Sequence, residues 1–232
     1  EMRSLSAFTQ GSGQTSIPLQ FEPHQSFFIV FKKGETKAPV PGKENFPVVT
    51  NIATLNAPWV VAFDPQWGGP EKIVFDQLED WTTRPEEGIK YYSGIAAYSQ
   101  QFDLPEVDTK NKKARIILNL GEVKNLARVK LNGKDLGVVW TAPWQVDITG
   151  VVKPEKNMLE ITVANLWPNR LIGDEQLPDD GIKNGQWPDW LLQGKPRTSG
   201  RFTFTTYKHY QKDAPLLKSG LMGPVTIKQA EF

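Results

Sequence analysis

The chain has 232 residues, no cysteine, and 27 basic against 26 acidic side chains, which gives a net charge of +1. This balance offers no electrostatic basis for binding nucleic acid or an anionic membrane, so we expect neither partner. A disulfide framework is excluded, and no apolar run approaches the ~20 residues of a membrane span. The length suffices for one large domain or two small ones.

The first 46 residues are predicted to be a β segment and linker that precede the main domain. Residues 1–13 are polar and rich in Gly and Ser, and residues 16–21 and 26–32 form two strand-like runs. The second run contains Phe27-Phe28-Ile29-Val30-Phe31, which is apolar on both parities, so we expect it to be covered on both faces. Residues 33–45 are rich in Lys, Gly and Pro and are typical of a linker.

Residues 47–232 are predicted to form one all-β domain, an antiparallel β-sandwich. Strands are expected at 59–64, 72–76, 95–104, 114–120, 158–164, 201–207 and 221–227, with a helical turn at 77–81. The clearest local signal is Asn132-Gly133, which favours a type I′ turn between strands 126–131 and 134–140. Short strands separated by turn residues are typical of a sandwich.

Four motifs carry a family resemblance. They are a Val-x-Leu-Asn-Gly-Lys hairpin (129–134), a Pro-Trp-x-x-Asp-Ile-Thr segment (143–149), the strand region 91–104, and Asn-Leu-Trp-Pro-Asn-Arg-Leu-Ile-Gly-Asp (165–174). The first three resemble the sugar-binding jelly roll of family 2 glycoside hydrolases. The fourth is similar to the C-terminal region of family 106 α-L-rhamnosidases. The resemblance covers roughly residues 56–227 and implies a galactose-binding-like jelly roll.

Residues 166–200 form a long stretch without sustained periodicity, and a loop of this length is unusual unless it is functional. Trp187 and Trp190 offer apolar faces on which sugar rings stack, and Trp144 flanks a proline at a loop end. The polar candidates for sugar hydroxyls are Asn169, Arg170, Asp174 and Glu175. The same tryptophans are equally suited to a domain interface, whereas we expect Trp59 and Trp81 to lie in the core.

Glycoside hydrolysis requires a pair of carboxylates, and the acids clustered in this loop could be interpreted as such a pair: Asp174, Glu175, Asp179 and Asp180. Solvated loop carboxylates or backbone caps explain them better, so we predict no catalytic residue. Similar jelly rolls often hold a structural calcium ion, but the acids match no EF-hand pattern and we predict no metal and no cofactor. His24 and His209 are far apart in sequence, which argues against zinc.

The resemblance implies a non-catalytic, carbohydrate-binding-like accessory region of a polysaccharide-degrading glycosidase, an α-L-rhamnosidase. Such enzymes carry their catalytic acids in a separate barrel, so the expected partners are carbohydrate or the catalytic domain of the same enzyme. Two alternatives stay open: a purely structural module that braces the barrel, and a self-sufficient glycoside hydrolase. We expect a periplasmic or secreted location in a bacterium.

Overall fold

The computed structural model describes residues 4–21, 25–32, 44–104 and 114–231, which contain fourteen β-strands and three short α-helices. The strands are β1 (Thr9–Gly11), β2 (Gln14–Ser16), β3 (Val48–Thr54), β4 (Trp59–Ala62), β5 (Ile73–Phe75), β6 (Ile95–Phe102), β7 (Ala114–Asn119), β8 (Glu122–Lys124), β9 (Leu126–Leu131), β10 (Lys134–Val139), β11 (Gln145–Asp147), β12 (Asn157–Ala164), β13 (Gly220–Gly223) and β14 (Thr226–Glu231). The helices are α1 (Glu87–Lys90), α2 (Pro168–Asp174) and α3 (Asp189–Leu192), and 3₁₀ turns lie at Pro65–Trp67 and Trp81–Thr83. No helix in the described ranges is long and apolar enough to cross a membrane.

Two antiparallel sheets form the sandwich, as predicted. The larger has the strand order β10-β9-β12-β6-β4-β5, and the smaller has the order β11-β7-β14-β3. The strands β13 and β8 form a two-stranded sheet, and β1 and β2 form a separate hairpin near the N-terminus. Consecutive strands, such as β6 and β7, often belong to different sheets, so the chain crosses between the two layers as in a jelly roll.

The core lies between the sheets because alternate residues of each strand point inward. In β12, Leu159, Ile161 and Val163 are fully buried, as their shared parity predicts. Trp59 and Trp81 are also buried, which confirms their core assignment. Trp81 donates its Nε1–H to the Tyr98 hydroxyl at 2.5 Å, so the polar atoms of this aromatic cluster are paired. Burial raises the pKa of Tyr98.

The Asn132-Gly133 turn joins β9 and β10 as predicted. Leu131 pairs with Lys134, and the two turn residues have φ values of 51° and 82°. The Asn132 side chain also donates to the Val151 carbonyl at 2.9 Å and accepts from the Met158 amide at 3.0 Å. The hairpin is therefore tied to the strand beside it as well as to its own partner.

Several local predictions were wrong. Residues 16–21 and 26–32 form no strands beyond the end of β2, and Phe28 is 96% exposed, so the expected cover on both faces is missing in the described structure. Residues 201–207 belong to no sheet, and the 3₁₀ turn begins at Trp81 instead of spanning 77–81. Strand β3 was not predicted, and α2 and α3 lie in the stretch that was expected to be irregular. Residues 33–43 of the predicted linker and His24 lie outside the described residues.

The turn generates a test of the fold. Gly133→Val should lower the free energy of unfolding by about 1–2 kcal/mol, because a β-branched residue is strained at positive φ. A Cβ at Gly133 would meet no atom within 4 Å, so the loss would report backbone strain alone. Gly150→Val is the matched control, since Gly150 has equal space and no positive φ. Equal denaturation midpoints for the two variants would contradict the assignment.

Candidate functional site

The candidate site is built on α2, which follows directly from the end of β12. Asn165 fixes this junction by accepting from the Gly94 amide at 2.9 Å and donating to the Tyr92 carbonyl at 2.8 Å. Pro168 occupies the first turn of the helix, where a missing N–H costs nothing. The helix therefore begins at a fixed point on the sandwich and carries Asn169, Arg170 and Asp174 into buried positions.

Asn169 connects α2 to the chain just before β13. Its side-chain Nδ2 donates to the Leu217 carbonyl at 2.7 Å, and its Oδ1 accepts from the Leu217 amide at 2.8 Å. Nδ2 also lies 3.0 Å from the Ser219 hydroxyl. The amide is thus occupied by backbone and hydroxyl groups of this chain, and it is 1% exposed.

Arg170 and Asp174 form a buried pair one helical turn apart. The Arg170 Nε lies 3.2 Å from Asp174 Oδ1, and both side chains are at most 5% exposed. Desolvation lowers the pKa of Arg170, while the Asp174 carboxylate opposes that shift. The guanidinium also stacks 4.8 Å from the centre of the Phe202 ring. Gly173 makes room for it, since a Cβ there would lie 2.3 Å from the Arg170 Nη2.

The second oxygen of Asp174 holds the segment 201–207. It accepts from the Phe202 amide at 3.0 Å, from the Thr203 amide at 2.6 Å and from the Thr203 hydroxyl at 2.6 Å. These side-chain bonds take the place of the sheet ladder that the predicted strand would have made. The segment is therefore held against α2 without being part of a sheet.

A polar cavity of about 120 Å³ lies between α2 and this segment. On the wall of this cavity, Glu175 forms ion pairs with Arg201 at 3.0 Å and with Lys208 at 2.8 Å. Asp180 forms an ion pair with Arg197 at 2.6 Å, and the Ser199 hydroxyl donates a hydrogen bond to the same carboxylate at 2.5 Å. Arg197 holds the pKa of Asp180 at about 2, well below its ordinary value of 3.8.

The predicted tryptophans surround Phe204, which also lines this cavity. The Trp187 and Trp190 rings lie 5.9 and 5.5 Å from the Phe204 ring centre. Trp190 donates to the Asp180 carbonyl at 2.9 Å and lies under the Arg197 guanidinium, whereas Trp187 is 46% exposed. Trp144 lies elsewhere. It packs against the core just before β11 and does not line this cavity.

The structure therefore brings six of the seven predicted residues to one end of the sandwich but gives them different surroundings. Asn169, Arg170 and Asp174 are buried in α2, Glu175 faces the polar cavity, and Trp187 is open to solvent. The sequence reasoning missed a second cavity, of about 540 Å³, which is lined by Trp67 and Trp167. The sequence offered one signal for this cavity, because Trp67 lies in a turn-rich loop and Trp167 follows the end of a predicted strand.

The acids in this region are engaged in ways that do not suit general acid catalysis. Asp174 accepts three hydrogen bonds, Glu175 contacts two cations, and the low pKa of Asp180 keeps it ionised. A catalytic acid needs the opposite shift, toward a raised pKa. Among the described residues, no group of three or more His, Asp or Glu side chains is placed to hold a metal ion.

Asp180 generates a pH prediction. Because its folded pKa of about 2 lies below the unfolded value of 3.8, ionised Asp180 stabilises the loop above pH 4, and this contribution disappears as pH falls through about 2. Asp180→Asn should lower the local opening free energy at pH 7 by about 2 kcal/mol, measured by hydrogen exchange of amides 199–203. Asp179→Asn, at an exposed neighbour, is the control. A difference between wild type and Asp180→Asn that stays constant from pH 7 to pH 2 would contradict the assignment.

The comparisons with known proteins agree on the class of protein. Residues 87–199 match the family described as "Glycosyl hydrolase 2 galactose-binding domain-like". A protein of Formosa agariphila named "Putative beta-glucuronidase" is 41% identical over 217 residues, which cover 86% of this chain and 19% of that protein. The solved structure of a rhamnosidase from Novosphingobium sp. PP1Y superimposes with a TM-score of 0.77 at 34% identity, over 96% of this chain and 19% of that one.

The chain thus spans about a fifth of the length of both relatives. The family match lies within the sandwich, from α1 through β12 into the loop that carries Asp174 and Asp180. The antiparallel architecture and these matches lead to the same assignment. Over residues 87–199 the chain matches the galactose-binding-like domain of glycosyl hydrolase 2, and this match lies within an antiparallel β-sandwich.

Proposed function

We propose that the chain is a non-catalytic accessory domain of an α-L-rhamnosidase and that it packs against the catalytic domain of the same enzyme. One observation carries this proposal: nearly the whole chain superimposes on about a fifth of a rhamnosidase at 34% identity. The remaining four fifths of such a protein leave ample room for a separate catalytic domain. The rhamnosidase comparison is preferred over the glucuronidase name because it matches in three dimensions as well as in sequence.

The geometry of the carboxylates supports a non-catalytic role. A glycosidase needs one carboxylic acid that is protonated near neutral pH and a second carboxylate about 5–9.5 Å away. Asp174 and Asp180 are instead held as hydrogen-bond acceptors inside their own loop, and Glu175 lies between Arg201 and Lys208. These contacts make the three acids part of the structure of the loop.

The loop end of the sandwich is the face that we assign to carbohydrate or to the catalytic domain. Trp187 is exposed beside the polar cavity, and Tyr207, in the segment 201–207 that lines this cavity, is 70% exposed. Aromatic faces next to charged and hydroxyl groups suit both a sugar and a polar domain interface. A periplasmic or secreted location fits an enzyme that acts on polysaccharide, and it belongs to the same proposal.

The proposal predicts that the purified 232-residue chain does not hydrolyse 4-nitrophenyl α-L-rhamnoside or 4-nitrophenyl β-D-glucuronide above the no-protein rate. The complete enzyme that contains it should hydrolyse the rhamnoside and leave the glucuronide intact. Release of 4-nitrophenol measures both. Turnover by the chain alone that disappears in Glu175→Gln would show that it is itself a hydrolase, and a complete enzyme selective for the glucuronide would contradict the rhamnosidase assignment.

A further inference from the structure

A groove on the outer face of the larger sheet is separate from the polar loop cavity. It lies where β4 and β6 run side by side, and Ala62 pairs with Ala97 there. These small side chains leave a depression of about 540 Å³, within the range of small-molecule sites. Its walls include Trp67 and Trp167, whose rings meet edge to face with centroids 5.4 Å apart.

The two tryptophans are held in place but remain accessible. Trp67 belongs to a 3₁₀ turn that begins after Asp64, and Trp167 immediately precedes α2. Their exposed fractions are 37% and 50%, which are high for side chains of this size. Tyr92 fixes the floor of the groove, because its hydroxyl accepts from the Asp64 amide at 3.1 Å and donates to the Ile95 carbonyl at 2.9 Å.

Asp64 adds a charged acceptor to this apolar groove. Its Oδ1 accepts from the Gln66 amide at 2.9 Å, whereas its Oδ2 has no hydrogen-bond partner among the described residues. The backbone cap orients the carboxylate, and the second oxygen stays available. A rigid aromatic pair beside a free carboxylate oxygen offers both an apolar surface and an acceptor to one ligand.

We propose that this groove binds a neutral sugar unit, with Trp67 and Trp167 covering an apolar C–H face and Asp64 accepting from hydroxyl groups. The tryptophans supply rigid apolar area at little entropic cost, and the carboxylate fixes the orientation of the ring. The Asp64 charge would repel the carboxylate of a uronic acid, so the site selects against acidic sugars. This inference rests on the proposed function only in taking carbohydrate as the substrate of the parent enzyme.

The carboxylate favours a sugar over an apolar protein surface as the occupant. Covering Asp64 with an apolar domain face would leave a buried acceptor unpaired, which is costly for a charged group. A sugar covers the tryptophans and also supplies the hydroxyl donors that this oxygen requires. The shallow, open shape suits a single ring of a longer chain.

Saturation-transfer difference NMR on the 232-residue chain tests the proposal with methyl α-L-rhamnopyranoside and sodium D-glucuronate as probes. We expect saturable, millimolar binding of the neutral glycoside and at least tenfold weaker binding of glucuronate. Trp67→Ala and Trp167→Ala should each weaken binding of the neutral glycoside at least tenfold. Asp64→Asn, which keeps the turn cap, should weaken it about threefold or more and reduce the discrimination against glucuronate.

Trp140→Ala is the matched control, since Trp140 is 74% exposed and lines neither cavity, and it should bind as wild type does. Circular dichroism confirms the fold of each variant, and Asp64→Asn keeps the test decisive if a tryptophan variant is unstable. The proposal is overturned by absent binding, by folded groove variants with unchanged affinity, by tighter binding of glucuronate, or by loss of binding in Trp187→Ala instead. None of these outcomes alters the catalytic assay that tests the proposed function.

Discussion

The Asp174 carboxylate is the point on which the loop end of this domain depends. One oxygen faces the Arg170 guanidinium at 3.2 Å, and the other accepts three hydrogen bonds from Phe202 and Thr203. This single group joins α2 to a segment 28 residues further along the chain. Without it, two backbone amides would lose their acceptor and a buried arginine would lose its ion-pair partner, and buried groups left unpaired are expensive.

Around that point, polar pairs and aromatic contacts perform the role that a sheet performs elsewhere in the domain. Arg170 stacks on Phe202, while Phe204 lies against Trp187 and Trp190. Ordering a long loop costs conformational entropy, and these contacts offset it. The result is a fixed end to the sandwich with a charged cavity beside Glu175, while α2 also begins beside the aromatic groove on the outer face of the larger sheet.

The parts of the fold that could be predicted are those specified by local or periodic signals. Asn132-Gly133 predicted its turn because few other dipeptides tolerate two positive φ values, and β9 and β12 followed from alternation. Residues 201–207 alternate equally well, yet their phenylalanines pack on Arg170 and on tryptophans of the loop, so the same pattern arose without a sheet. The role of Asp174 was invisible for a related reason, since sequence shows a cluster of acids but not the amides that they bind.

We infer that Asp174 is a structural anchor and not a catalytic or ligand-binding acid. The most direct measurement is the free energy of unfolding of Asp174→Ala, combined with hydrogen exchange at the Phe202 and Thr203 amides and with Asp213→Ala as an exposed control. Our account predicts a loss of about 3–5 kcal/mol and of protection at both amides, with the control unchanged. Unaltered stability and protection in Asp174→Ala would contradict it.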